Sequence, residues 1–144
     1  MVTVYDVNAN ELISKVAKEL ESKPEFKGPV WTPFVKTGAH KERPPMQSNW
    51  WQTRTAAILR TVYTQGPIGV NSLRTKYGGR RNKGYKPDRF TRGSGNIARK
   101  ALQQLEKAGY IKQVQTGVNK GRIITAEGKK FLDTVAKDLK PKAQ

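Results

Sequence analysis

Four stretches of this chain repeat apolar residues at helical period, and any fold it adopts must bring those four faces together. Leu12, Ile13, Val16, Ala17 and Leu20 share one face, with Lys15, Lys18, Glu19 and Glu21 outside it. Trp50, Ala57, Ile58, Thr61 and Val62 form a second stripe. Ile97, Ala101, Leu102, Leu105 and Ala108 form a third, and Phe131, Leu132, Val135, Ala136 and Leu139 repeat the spacing of the first. Such stripes are core faces rather than cofactor sites. The punctuation agrees: Asn8-Ala9-Asn10-Glu11 has the form of a capping box that starts a helix at Ala9, and Ser48, Ser94 and Thr125 can each cap a later one. The second helix is expected from about Asn49 to Gln65, and Gly66-Pro67 stops it. Trp50 and Trp51 diverge by about 100° on a helix, so one is expected to pack centrally and the other to cover the rim.

Between the second and third stripes, residues 69–77 read as a short helix closed by Gly78-Gly79. After Gly109, the segments Tyr110–Gln115 and Arg122–Ile124 read as strands joined through Val118-Asn119-Lys120-Gly121. Helix, short helix, longer helix, hairpin and helix is the order of a winged helix. The expected fold is therefore mainly α, a winged-helix-like domain with an added N-terminal helix and a β-hairpin wing. The 144 residues suit one domain over 1–144. Within it, Pro24, Pro29, Pro33, Pro44 and Pro45 mark residues 23–47 as an extended connector, whose aromatics Trp31 and Phe34 are expected to anchor to the core. The tail, 141–144, should be flexible.

Charge narrows the function. The chain carries a formal net charge of +17, and thirteen Lys and Arg face a single acid, Asp88, between Arg43 and Leu105. A solubilising surface would mix signs, whereas a one-sign block suits a polyanion. Arg74, Lys76, Arg80, Arg81, Lys83, Lys86, Arg89, Arg92, Arg99 and Lys100 form a dense basic set; Lys36 and Lys41 lie in the connector, and Arg54 and Arg60 on the second helix. All fourteen are candidate RNA-binding residues, with arginine supplying a planar fork for phosphate. The segment from Gly78 to Gly93 is polar and long enough to be read as a functional loop. Tyr77, Tyr85 and Phe90, interleaved there, can stack on unpaired bases for about 1–3 kcal/mol each, although anchoring is the commoner fate of such rings.

Other chemistries find little support. Without cysteine there is no disulfide framework, thiolate nucleophile or cysteine-bound zinc. His40 is the sole histidine, so a metal or triad role is not expected, and a phosphate or surface role fits better. Gly78-Gly79-Arg80-Arg81-Asn82-Lys83-Gly84 lacks the terminal Gly-Lys-Ser/Thr of a nucleotide-binding loop. No cofactor and no catalytic constellation are expected. The N-terminus has no secretory pattern, and no run of about 18 apolar residues occurs, so no membrane partner is expected. Two rivals remain: a DNA-binding winged-helix regulator reading base edges from the helix at Ser94, and a partner-binding module using the connector and wing. The first lacks a recognisable dimerisation repeat or effector site.

The run from Pro87 to Glu106, Pro-Asp-Arg-Phe-Thr-Arg-Gly-Ser-Gly-Asn-Ile-Ala-Arg-Lys-Ala-Leu-Gln-Gln-Leu-Glu, resembles the signature of the ribosomal protein S19e family of archaea and eukaryotes. The family pattern of proline, six residues, a small residue, then arginine and a Leu-Gln-x-Leu-Glu ending falls on Pro87, Ser94, Arg99 and Leu102–Glu106. The resemblance extends through Tyr5-Asp6-Val7, Trp50, Thr53-Arg54, Arg60, Tyr77-Gly78-Gly79-Arg80, Gly121-Arg122, Thr125 and Gly128, and Ile123-Ile124 with the short tail look archaeal. It implies a non-enzymatic, cytoplasmic, winged-helix-like protein of the small ribosomal subunit, bound to rRNA in the subunit head and needed for subunit maturation. Implied partners are small-subunit rRNA and neighbouring ribosomal proteins, with a monomer outside the ribosome. By the same resemblance Arg54, Arg60, Arg99 and Lys100 match the family's RNA-facing surface.

Overall fold

The computed structural model describes residues 2–115 and 117–140, so the 141–144 tail lies outside the described residues. Five α-helices and two antiparallel hairpins occur among them. Helix α1, Ala9–Glu21, begins where Asn8 accepts a hydrogen bond from the Asn10 amide at 2.9 Å. The reciprocal carboxylate contact expected of Glu11 is found one turn earlier, where Asp6 accepts from the Thr3 amide at 2.7 Å and its hydroxyl at 3.0 Å. Asp6 belongs to a 3-10 turn that precedes α1, and that turn brings its carboxylate back over the Thr3 capping position. Two short 3-10 turns, Pro24–Phe26 and Thr32–Phe34, interrupt the connector, each with proline in its first turn.

Helix α2, Trp50–Gln65, is the central element, packed against α1 on one side and α4 on the other. Its N-cap position is Asn49 and makes no side-chain cap bond, so the expected Ser48 cap does not form. Both tryptophans are buried, against the expectation that only one would be: Trp50 is 8% and Trp51 1% exposed. The reason is that α2 is covered over a wide arc. The connector returns across it, Trp31 meets Trp51 edge to face at 5.7 Å, and Trp51 Nε1 donates to Gln104 Oε1 of α4 at 2.9 Å. The same coverage buries Thr55, Ala56 and Leu59, which a single stripe omits. Connector anchoring is divided, since Trp31 packs on the core while Phe34 is 81% exposed.

Helix α3, Val70–Lys76, packs on α4, Gly95–Lys107, whose N-cap Ser94 accepts from the Ile97 amide at 3.5 Å. Helix α5, Ala126–Leu139, closes the bundle against α1. Its cap, Thr125, accepts from the Gly128 amide at 3.2 Å and donates to the Gly109 carbonyl at 2.7 Å, fixing α5 to the end of α4. The segment from Gly78 to Gly93 is not a loop. It forms a hairpin of β1, Gly79–Lys83, and β2, Lys86–Thr91, with Gly84 at φ 72° opening a two-residue turn. Neither face of this ribbon is buried, so it carries no apolar alternation for a periodicity argument to detect.

The expected wing is present as β3, Ile111–Val114, paired with β4, Gly121–Ile124. Ile68 adds a single antiparallel bridge on the outer edge of β4, exchanging backbone hydrogen bonds with Arg122 at 3.1 and 3.0 Å. A helix order of winged-helix type, an added N-terminal helix and a wing thus describe the architecture, with the β1–β2 ribbon as an addition between α3 and α4. Among the described residues no helix is long and apolar enough to cross a membrane.

Candidate nucleic-acid interface

The first cluster of cations lies where the C-terminal end of α3 meets side chains of α2. Arg54 sits one turn into α2, and its guanidinium lies 4.0 Å from the Tyr77 ring centroid. Burial lowers the Arg54 pKa, and the neighbouring tyrosine only partly offsets that. Burial also raises the Tyr77 phenol pKa, against the pull of Thr61 and Arg54. Two turns along α2, Thr61 donates to the Ala57 carbonyl at 2.8 Å and accepts from Lys76 Nζ at 3.0 Å. The Lys76 pKa is lowered by desolvation first and by the Arg60 charge second. Arg60 Nε is buried and meets no hydrogen-bond partner among the described residues. Arg54 is thus held by ring stacking and Lys76 by a threonine hydroxyl, with the Arg60 charge beside Lys76, an arrangement that an incoming phosphate would relieve.

A second cluster adjoins the first. Arg74 Nε donates to the Gly93 carbonyl at 3.2 Å, and the Gly93 amide donates to the Arg74 carbonyl at 2.8 Å. The Ser94 amide donates to Thr37, so connector, α3 and the start of α4 meet in one place. They enclose an open cleft of about 500 Å³ lined by Lys36, Arg74, Arg92, Ser94 and Gly95. Gly95, the first residue of α4, lines it, so the cleft adjoins a helix N-terminus, a setting that favours anions. Gly93 has no room for a side chain, since a Cβ would stand 2.7 Å from the Tyr77 carbonyl oxygen. Arg54, Tyr77 and Ser94 line one narrow crevice, which makes the two clusters continuous.

From this base the β1–β2 ribbon carries Arg80, Arg81, Lys83, Lys86 and Arg89 into solvent, all exposed. Tyr85 at its turn is fully exposed and Phe90 is 56% exposed, whereas Tyr77 is engaged by Arg54. His40 packs at the ribbon's root: a Cβ on Gly38 or Gly79 would meet its ring at 2.7 or 2.8 Å. Lys41 follows it, exposed. Arg99 and Lys100 are exposed on the side of α4 opposite Ala98, Ala101 and Leu102.

The structure therefore brings Arg54, Arg60 and Lys76 into one cluster and Lys36, Arg74 and Arg92 into the next. It strings Arg80, Arg81, Lys83, Lys86 and Arg89 along a ribbon, and leaves Lys41, Arg99 and Lys100 as separate exposed cations. Sequence reasoning missed Tyr77 and Thr61 as the groups that hold Arg54 and Lys76. Their signal was the position of Tyr77 directly after a helix carrying two cations, which places the ring against α2.

The family described as Ribosomal protein S19e matches residues 3–142. Small ribosomal subunit protein eS19 of Aeropyrum pernix is 45% identical over 141 residues, covering 96% of this chain and 90% of the relative. Its counterpart in Haloarcula marismortui is 45% identical over 143 residues, covering 96% and 92%. Small ribosomal subunit protein eS19G of the nematode Ascaris suum is 38% identical over 138 residues, covering 96% and 92%. With a match across nearly all of its length and relatives this similar, the chain belongs to the ribosomal protein S19e family.

Proposed function

We propose that this protein is a structural, non-enzymatic component of the small ribosomal subunit in the cytoplasm, that it binds rRNA in the subunit head, and that it supports subunit maturation. The observation that carries this reading is the family match over residues 3–142, with relatives named as small ribosomal subunit proteins. The cation clusters supply the chemistry: phosphates would enter the Arg54–Arg60–Lys76 group and the Lys36–Arg74–Arg92 cleft, while Arg99, Lys100, Lys41 and the ribbon extend the contact. Neighbouring ribosomal proteins are further partners, and outside the ribosome the chain is monomeric. Ultraviolet crosslinking in cells, with sequencing of the bound nucleic acid and mapping of crosslinked peptides, tests the reading. Crosslinks between small-subunit rRNA and peptides spanning Arg54 to Lys100 are the expected result. Recovery of scattered chromosomal DNA instead would overturn it in favour of a winged-helix regulator.

A further inference from the structure

We propose that one face of the β1–β2 ribbon, formed by Arg81, Lys83, Lys86 and Arg89, is a four-cation ladder that holds two successive phosphates of a single RNA strand. The inference rests on the RNA-binding reading above and goes beyond it by assigning a ligand geometry to one face of one hairpin.

The register carries the argument. Gly79 pairs with Thr91, Arg80 with Phe90, Arg81 with Arg89, and then Lys83 with Lys86. Directly paired residues project to the same face, and successive pairs alternate. Arg81 and Arg89 therefore share a face, and Lys83, two residues beyond Arg81, returns to it. Lys86 is three residues from Arg89 and in a regular strand would point the other way. The register shift between Arg81 and Lys83 prevents this, because Pro87 and Asp88 together oppose Asn82 as a bulge. The bulge absorbs the extra residue and returns Lys86 to the side of Arg89. Asp88, the sole acid in the ribbon, is left on the opposite face with Arg80 and Phe90.

Two like-charged pairs then face each other directly, with Cβ atoms roughly 4.5–5.5 Å apart. Such pairs destabilise a ladder, and an unsupported two-stranded ribbon is marginal to begin with. All four side chains are exposed, and no salt bridge reaches them among the described residues. Folding alone gives no reason for this placement; an anion seated between each pair does. The two rungs are two residues apart along β1, roughly 6.6 Å, close to the separation of successive phosphates along a nucleic-acid strand. Each rung can thus grip one phosphate from both sides. On the other face, Phe90 lies over Gly78, where a Cβ would stand 2.6 Å from its ring. That face is turned to the ribbon's root.

The test uses the full chain and an in vitro transcript of archaeal small-subunit rRNA, with affinity measured across salt concentration. The quadruple variant R81Q/K83Q/K86Q/R89Q should lower the slope of log affinity against log salt by about 1.4, the value for two phosphates, and weaken binding at 0.15 M salt by roughly one order of magnitude. The single variant Arg89→Glu converts one repulsive pair into an attractive one. It should slow hydrogen exchange of the ribbon amides and still weaken RNA binding, a divergence that a purely structural role would not produce. If the quadruple variant does not fold, the rung variant R81Q/R89Q should lower the slope by about 0.7, the value for one phosphate. A quadruple variant with wild-type slope and affinity, alongside weakened R99Q/K100Q, would overturn the ladder while leaving the RNA reading intact. Faster ribbon exchange in Arg89→Glu would also overturn the ladder. Failure of the wild-type chain to bind the transcript would overturn both.

Discussion

Arg54 illustrates how a cation can be taken partly out of water and remain available to a ligand. Its guanidinium is stacked at 4.0 Å over Tyr77, so the ring rather than a carboxylate compensates for lost hydration. A carboxylate would neutralise the charge, whereas a ring leaves it unspent for phosphate. Replacing Tyr77 with Phe keeps the ring, and replacing it with Leu removes it. Tyr77→Leu should therefore be less stable than Tyr77→Phe by about 1–2 kcal/mol in urea unfolding, the value of a partly desolvated cation–π contact. It should also bind RNA more weakly. Lys76 makes a second prediction. Desolvation and Arg60 hold its pKa below the usual lysine value of 10.5, so the fold disfavours its charged form. A phosphate favours the charged form, so the complex takes up a proton as the free protein begins to lose one. RNA affinity should then fall as pH rises through the lowered Lys76 pKa, earlier than for an ordinary lysine. In Lys76→Arg this early fall should disappear, which pH-dependent binding curves would reveal.

At the scale of elements, competing local terms can be decided by size. Gly128 stands in the first turn of α5, and helix propensity alone favours alanine there by about 1 kcal/mol. A Cβ at Gly128, however, would lie 2.3 Å from the Tyr110 carbonyl oxygen and 2.8 Å from Ile124 Cγ1. The Tyr110 carbonyl is fixed because it accepts from the Thr125 amide at 3.0 Å, so it cannot move aside cheaply. Overpacking of this kind costs typically 1–3 kcal/mol, and Gly128→Ala should lower the melting temperature. A rise would show that the wing and α5 separate more easily than their contacts suggest. The same balance explains which elements were legible beforehand. Helices α1, α4 and α5 each bury one stripe and start at a recognisable cap, so their period and their starts could be read from Asn8, Ser94 and Thr125. Helix α2 is covered on two sides, so Trp51 and Leu59 join the core for a tertiary reason that no single stripe contains. The β1–β2 ribbon buries neither face, which left its charges visible and its strands invisible. Ile68 contributes only one rung to the wing, too little to leave a pattern. For the candidate site, composition located the basic residues, but the Tyr77 platform and the Lys76–Thr61 bond depend on where the end of α3 meets α2.

For the molecule as a whole, the net charge of +17 sets stability against binding. The free chain holds cations close together at several points: Arg60 beside Lys76, Arg81 opposite Arg89, and Lys83 opposite Lys86. Two salt bridges, Lys15 with Asp138 at 4.0 Å and Arg122 with Glu106 at 3.2 Å, are the counterweights among the described residues, and both lie away from these clusters. Added salt screens exposed charges over a Debye length of about 10 Å at 0.1 M and about 3 Å at 1 M. Repulsion in the free protein should weaken over that range, so its melting temperature should rise with salt. Binding to RNA should weaken over the same range, because counterions released from the phosphates gain less entropy on entering a more concentrated salt solution. The two trends run in opposite directions and originate in the same side chains. Neutralising the ribbon rungs should therefore diminish both, reducing the salt-induced gain in melting temperature along with the salt slope of RNA affinity. A free protein whose melting temperature ignores salt would mean that its cations repel too weakly to matter. The clustering of like charge would then be no load on the fold, and relief of that load could not contribute to the affinity for RNA.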